Sequence, residues 1–411
     1  MLELLEGRRL GWSLPGPMYH DADVFALDLV HVWHREWVFA GLVCELAEPG
    51  DYLTLQVGDF PLVVIRGGDG ELRALHNVCR HRGSVIFEEA HGRAGRRVVC
   101  PYHQWTYDLA GHHVGGRSMP ADVDPAELGL RVAHCATIGG LVYVCVAADP
   151  PDVAPLRSLV EPYLAPFDLE SAVVAHRTTY VEHANWKLVM ENNRECYHCR
   201  SAHPELCVSF PAGAQHNGAG TPQQLAELDE LVARAEAAGL PSRLAIADDR
   251  HYRVMRMPFE HGATGMTLDG RPAFDTRFGG LPSHLDVGDV LLYHYPSSWN
   301  HFMADHAVTF RLLPVGPGAS QLHTTWLVPE GTGPLTAADL ERLTAVWLAT
   351  NAQDATLVER AQRGVTSPAY EPGPYSPAEE EGVEQFVDWY VQRMRTRLGA
   401  SVHGLAVAAS K

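Results

Sequence analysis

The sequence predicts an α+β chain of more than one domain, with a small β-rich domain toward the N-terminus and a larger domain of antiparallel strands and helices after it. Three observations lead there. The 411 residues exceed the ~250–300 at which a single hydrophobic core stops growing. Between Asp51 and Val146 short strand segments alternate with turn signals, whereas long strands and helical periodicity share the rest of the chain. Between the two lies Ala148-Asp-Pro-Pro-Asp152, where consecutive prolines interrupt helix and sheet alike. The expected division is residues 1–40 as a helical segment packing with the larger domain, then 41–150 and 151–411.

Taken in order, residues 20–40 place Val24, Leu27, Val30, Trp33 and Trp37 at helical spacing. Tyr52–Val57 and Phe60–Ile65 read as strands, and the glycine-rich turn at residues 67–70 before Glu71–Leu75 reads as a hairpin. Short strands are expected at Arg97–Cys100, Thr106–Leu109 and Leu141–Val146. In the larger domain they are expected at Ala172–Val181, Val254–Met257, His306–Leu313 and Leu322–Val328, with helices near 185–202, 222–238, 336–363 and 378–397. Long antiparallel strands with a few helices suit an α+β sheet domain.

Composition narrows the function classes. A formal net charge of −18 argues against nucleic acid or an anionic membrane, whose binding needs a basic footprint. A small molecule or another protein is the expected partner. The start Met1-Leu-Glu-Leu-Leu-Glu6 lacks the basic and apolar regions of a signal peptide, and no apolar run reaches the ~20 residues of a membrane span, so the expected location is the cytoplasm. In that reducing compartment the eight cysteines, set among 23 histidines, are better metal ligands than a disulfide framework.

Four of these residues form the first motif, Cys79-Arg-His81 and Cys100-Pro-Tyr-His103, each at the end of an expected strand. A structural zinc accepts two thiolates and two imidazoles, but zinc fingers usually pair Cys with Cys and His with His. Here each loop offers one of each. A Rieske [2Fe–2S] centre needs that division, two Cys on one iron and two His on the other.

The second motif runs from Asn185 to Pro204. Glu191, Glu195 and His198 fall at i, i+4 and i+7, on one face if the segment is a single helix. His203 sits five residues past His198, so both reach one metal only if the helix distorts or ends, for which Pro204 gives a reason. Cys196 and Cys199 form a Cys-x-x-Cys that suits a redox or zinc pair; with Cys207 they are expected to be buried packing residues. Two His and one carboxylate form the usual O₂-activating iron site because coordination positions stay open. Spacing alone does not choose between Asp354 and Glu359 for the carboxylate.

With those residues in view, the chain resembles the large (alpha) subunits of Rieske non-haem iron oxygenases over nearly its whole length. The resemblance implies a β-rich Rieske domain followed by a helix-grip domain holding mononuclear Fe(II), with Cys79, His81, Cys100 and His103 on the cluster and His198, His203 and Asp354 on the iron, using O₂ as co-substrate. It also implies a head-to-tail homotrimer in which an acid links one subunit's iron site to the neighbour's cluster. That acid is usually Asp, and the matching position here is Glu195, one methylene longer.

A Glu at this position is similar to the quaternary-ammonium branch of the family, whose members act on glycine betaine, proline betaine (stachydrine) and carnitine. So are Trp299-Asn-His-Phe-Met-Ala-Asp305-His306, Thr325–Val328 and Ser367–Ser376. The resemblance therefore implies a monooxygenase that N-demethylates a betaine with release of formaldehyde. An aromatic-ring hydroxylating oxygenase is the alternative enzyme; a non-catalytic electron-transfer or zinc-stabilised binding protein is the alternative from another class. Aromatic faces attract a quaternary ammonium, and Tyr252, Phe259, Tyr293, Tyr295, Trp299 and Phe302 are the candidates. The chain has neither a dinucleotide fingerprint nor a plant-type ferredoxin run, so electrons from NADH or NADPH are expected through a separate flavin and iron–sulfur reductase.

Overall fold

The computed structural model describes residues 1–119, 122–212, 220–283 and 285–409, with side chains to Gly399. It separates into two compact units, one of residues 1–32 with those from Ala154 onward, the other Trp33–Val153. The first boundary thus falls at Val32, earlier than residue 40. The helix expected over 20–40 is two short helices, Pro17–His20 and Ala22–Asp28, followed by a π turn to Trp33. Asp21 divides them, its side chain accepting hydrogen bonds from the backbone N–H groups of Asp23 and Val24 at 2.8 and 3.1 Å.

Among the described residues of the Trp33–Val153 unit ten strands form: β1 Val38–Leu42, β2 Asp51–Val57, β3 Phe60–Arg66, β4 Leu72–His76, β5 His91–Arg93, β6 Val98–Val99, β7 Thr106–Tyr107, β8 His113–Gly115, β9 Val132–Ile138 and β10 Leu141–Cys145. Seven make one antiparallel sheet in the order β1-β10-β9-β4-β3-β2-β5, and β6-β7-β8 make a small second sheet. The two sheets share a core. Val63 and Ile65 from β3 and Leu75 from β4 pack with Val98, Tyr107 and Leu109, and the Cys79 and Cys100 thiols lie in the same cluster.

The larger unit is built on a seven-stranded antiparallel sheet ordered β11-β17-β16-β15-β14-β13-β12. Its strands are β11 Val173–Glu182, β12 Ala245–Ile246, β13 Tyr252–Met257, β14 Asp289–His294, β15 Ser298–Phe302, β16 Ala307–Gly316 and β17 Ala319–Val328. The long helix Ala337–Val365 lies against it: Trp347 packs on His301 and Phe310, and Asn351 Nδ2 donates to Thr324 Oγ1 at 3.1 Å. Thr336 and Asp339 cap its start reciprocally. The face turned inward carries Leu343, Val346, Trp347, Thr350, Asn351 and Val358, spaced for one stripe of a helix, and Asp354 continues that spacing as its one acid.

The expected helix over 185–202 is not continuous. Asn185 caps a helix Trp186–Asn193, a turn follows, and a single helical turn Cys199–Ala202 ends just before His203. Glu195 breaks the run because its carboxylate accepts from the backbone N–H groups of Tyr197 and His198, competing with the helical pattern. Glu191, Glu195 and His198 therefore do not share a helix face.

The N-terminal segment is tied to this helix by buried polar groups. Asp28, fully buried, pairs with Lys187 and accepts from Trp186 Nε1 at 3.1 Å and Tyr390 Oη at 2.6 Å; deleting Lys187 would leave the Asp28 charge buried and uncompensated. Tyr19 Oη donates to Glu191 at 2.9 Å. Burial pushes the Glu191 carboxyl from 4.5 up to about 8, against the lowering pull of Tyr19 and Lys187. An acid whose folded value is raised is most favourable to folding below its unfolded value, and the benefit is lost as pH rises through the folded one. Glu191→Gln, which mimics the neutral carboxyl, should therefore gain stability relative to wild type as pH climbs from about 5 to 8, by at most about 1.4 kcal/mol per pH unit. Denaturation at several pH values measures this, and parallel curves would refute it.

Candidate active site

The two cysteine loops of the Trp33–Val153 unit are built alike. Cys79 N–H donates to the Ser84 carbonyl at 2.8 Å and Cys100 N–H to the Trp105 carbonyl at 2.9 Å; Gly83 and Gln104 N–H groups return to Cys79 and Cys100 carbonyls, each at 3.0 Å. The fourth residue after each cysteine is left-handed, Gly83 at φ +74° and Gln104 at φ +60°. The loops thus curl the same way and bring their ligand types together. Both thiols are free and at most 3 % exposed, and burial raises the Cys79 thiol pKa. The His81 and His103 rings, 4.6 Å apart, sit nearer the surface, His81 stacked on Trp105. Thiols inward and imidazoles outward fit a cluster with one all-sulfur iron and one histidine-ligated iron.

In the larger unit three groups converge from separate elements. His198 comes from the turn after the Trp186–Asn193 helix, His203 from the end of the next helical turn, and Asp354 from the long helix. Asp354 Oδ1 lies 3.3 Å from His198 Nε2 and 3.0 Å from His203 Nε2. The far ring nitrogens are already engaged: His198 Nδ1 is 2.5 Å from Glu195 Oε1, and His203 Nδ1 is 2.8 Å from Gln353 Oε1. Such partners fix the tautomer and leave Nε2 as the ligand atom. His203 Nε2 is buried without a hydrogen bond of adequate geometry, as a ligating lone pair should be. The set of two imidazoles and a carboxylate fits mononuclear iron.

Burial opposes charge on His198, but its hydrogen bonds to Asp354 and Glu195 raise its pKa to about 9; burial likewise opposes charge on Asp354, and the two histidines hold it below the ordinary carboxylate value. A metal at this site would displace the His198 Nε2 proton. Glu359, the competing acid in sequence, instead accepts from the His183 N–H at 3.1 Å. Of the two acids, Asp354 is the one that lies against the imidazoles.

These groups open on a cavity of about 450 Å³ lined by Glu195, His198, His203, Phe210, Arg253, Tyr293, Trp347 and Asp354, among others. Its size suits a small ligand. Of the six aromatic candidates only Tyr293 lines it. Trp299 borders a separate space of about 20 Å³ beside Asp354. Tyr252 packs on His251 and His294, Tyr295 on Phe386 and Trp389, and Phe302 on Phe167, while Phe259 is 7 % exposed. All four are buried: strand alternation turns Tyr252 and Phe302 away from the cavity that their neighbours Arg253 and His301 line, while Phe259 and Tyr295 lie beyond the ends of β13 and β14.

The cysteines next to the histidines also depart from expectation. Cys196 and Cys199 are joined in a disulfide, and Cys196 and Cys207 are only half-buried. The turn at Tyr197–His198 sets their Cα atoms 4.8 Å apart, within bridging range.

A β-rich unit with paired Cys–His loops and a sheet-and-helix unit with a two-histidine, one-carboxylate cluster define an iron-dependent oxygenase subunit. The chain belongs to the Rieske-type ring-hydroxylating alpha-subunit family: residues 169–396 match its catalytic domain and 36–132 match the Rieske [2Fe–2S] domain. It is 42% identical over 98% of its length to a glycine betaine monooxygenase oxygenase subunit of Chromohalobacter salexigens, covering 91% of that protein. It is 40% identical over 99% to one from Pseudomonas aeruginosa, covering 95% of it. The fold matches a solved quaternary ammonium Rieske monooxygenase with a TM-score of 0.73 at 20% identity, over 95% of this chain and 98% of that one. The protein is thus a Rieske non-haem iron monooxygenase that works with a [2Fe–2S] cluster, mononuclear iron and O₂. Among the described residues no helix is long and apolar enough to cross a membrane.

Proposed function

We propose that this protein is the oxygenase component that N-demethylates a betaine, glycine betaine or a close analogue such as proline betaine, with release of formaldehyde. Near full-length identity of about 40% to two glycine betaine monooxygenase oxygenase subunits carries this reading. Cys79, His81, Cys100 and His103 hold the cluster, and His198, His203 and Asp354 hold the iron. When bound, these groups relay single electrons and activate O₂ for insertion into a C–H bond.

The chain's own residues position, orient and exclude water. Glu195 and Gln353 hold the two imidazoles with Nε2 toward Asp354. Phe210 and Trp347 give the cavity aromatic faces suited to an N-methylated cation. A quaternary nitrogen has no lone pair to be oxidised directly, so the methyl C–H bond is the reacting one. Its hydroxylation gives a carbinolamine that breaks into formaldehyde and the demethylated amine without needing an acid–base dyad.

Electrons reach the cluster from a separate flavin and iron–sulfur reductase drawing on NADH or NADPH. Assembly is a head-to-tail homotrimer, in which Glu195 links His198 to the neighbouring subunit's His103. With reductase, NADH and O₂, a panel of betaines and simple arenes should yield formaldehyde from a betaine and unchanged arenes. Ring hydroxylation without formaldehyde would overturn the substrate assignment.

A further inference from the structure

Two arginines in the cavity wall are not used by the metal chemistry. Arg194 follows the Trp186–Asn193 helix and is 3 % exposed; its Nε donates to Tyr295 Oη at 2.6 Å, but Nη1 and Nη2 are buried with no hydrogen-bond partner among the described residues. Arg253, on β13, makes no hydrogen bond or ion pair among the described residues. Its Nε is buried, yet part of the side chain is open, and the residue lines the cavity. Both guanidinium groups lie near the Tyr293 ring, 4.1 and 5.0 Å from its centroid. Tyr293 therefore already faces two cations and is no cage for a third. At Gly382 an added Cβ would fall 2.2 Å from the Arg194 carbonyl oxygen, so this glycine lets the C-terminal helix come close to Arg194.

Burying two like charges side by side with unmatched N–H groups is costly. Burial, then the Arg194 charge, lower the Arg253 pKa to about 10, with Glu381 only weakly opposing. An anionic ligand would relieve both costs, because a guanidinium is shaped to bind a carboxylate through two parallel hydrogen bonds. The walls of the cavity differ in kind: β13 and β14 bring Arg253 and Tyr293, while the helices bring Trp347 and the His198, His203 and Asp354 cluster.

We propose that Arg194 and Arg253 form the carboxylate subsite of the cavity, selecting zwitterionic ammonium carboxylates and disfavouring ammonium cations that carry no acid. This rests on the betaine reading above and deepens it. Arg253, open to the cavity, is the direct partner, and Arg194 adds a second charge. A cation lacking the carboxylate would meet two uncompensated positive charges, which is discrimination by repulsion as well as by attraction.

The test compares binding of glycine betaine with that of glycine betaine amide, an isostere that keeps the ammonium but carries no negative charge, by calorimetry on the iron-loaded protein, in wild type, Arg253→Gln and Arg253→Lys. Wild type should prefer the betaine. Arg253→Gln should shrink that preference by about 10- to 100-fold, the loss expected for a charge-assisted hydrogen bond in a buried site, while affinity for the cationic amide holds or rises because one repelling charge is gone. Arg253→Lys should restore part of the preference, an effect that mere structural damage would not produce. Parallel weakening of both ligands, or an unchanged preference in Arg253→Gln, would overturn the subsite alone, since wild type would still take betaine. A wild type that neither binds nor demethylates any betaine would overturn the functional reading and the subsite with it.

Discussion

Glu195→Ala should keep both metal centres and lose about 10- to 100-fold of its turnover, the range typical when a partner of a metal-bound histidine is removed. The carboxylate touches His198 on the nitrogen that faces away from Asp354, outside the three atoms that face one another, and we assign it to coupling rather than to ligation. It is also 13 % exposed in its side chain and lines the cavity. Iron and labile-sulfide analysis, single-turnover decay of the reduced cluster and steady-state rates distinguish the outcomes. Slow cluster oxidation with full iron marks a linking role. Glu195→Gln, which keeps an acceptor for His198 but removes the charge, should retain iron and be nearly as slow. If Glu195→Ala lost its mononuclear iron while Asp354→Ala kept it, the two carboxylates would have to exchange roles.

The Cys–His motifs stand out in the sequence because metal chemistry fixes residue types at short spacing. Cys79-x-His81 and Cys100-x-x-His103 announce a divided ligand set before any strand is assigned. The strands themselves were less legible where both faces are covered. Residues 289–294 and 298–302 are buried at every position, as are 38–42, so no alternation of polar and apolar residues marks them. The Glu195 turn was missed for a different reason. Helical spacing continued through it, and only the side chain's bonds to two backbone N–H groups reveal the break.

The cavity lay furthest from sequence reasoning. Arg194 and Arg253 are far apart in the chain and come together over Tyr293, which the pairing of β13 with β14 sets opposite Arg253. Gln353, whose oxygen orients His203 and whose Nε2 donates to Glu205 at 2.8 Å, meets both only through the fold, 150 and 148 residues away in the chain. One signal was available for Asp354: an acid in the apolar stripe of a long helix is expensive unless something pairs with it. Composition could not decide the disulfide, because pairing depended on the turn that brought Cys196 to Cys199.

Asp354→Ala should remove the mononuclear iron and abolish turnover while leaving the cluster spectrum intact. The wild-type chain should carry about three irons and two sulfides, and this variant about two irons and two sulfides. The argument is geometric. One carboxylate oxygen faces both His198 Nε2 and His203 Nε2, so its loss leaves two neutral ligands and removes the only anionic donor of the set, and Glu359 is committed to the His183 backbone and does not replace it. The fold should survive, since Asp354 caps no helix and the stripe around it stays apolar. The reciprocal variant, Cys100→Ser, should bleach the visible cluster absorbance and leave the mononuclear site, because Cys100 lies in the core of the other unit. Stoichiometric zinc without labile sulfide in the wild-type protein, or bleaching of the cluster by Asp354→Ala, would refute the assignment of two independent centres.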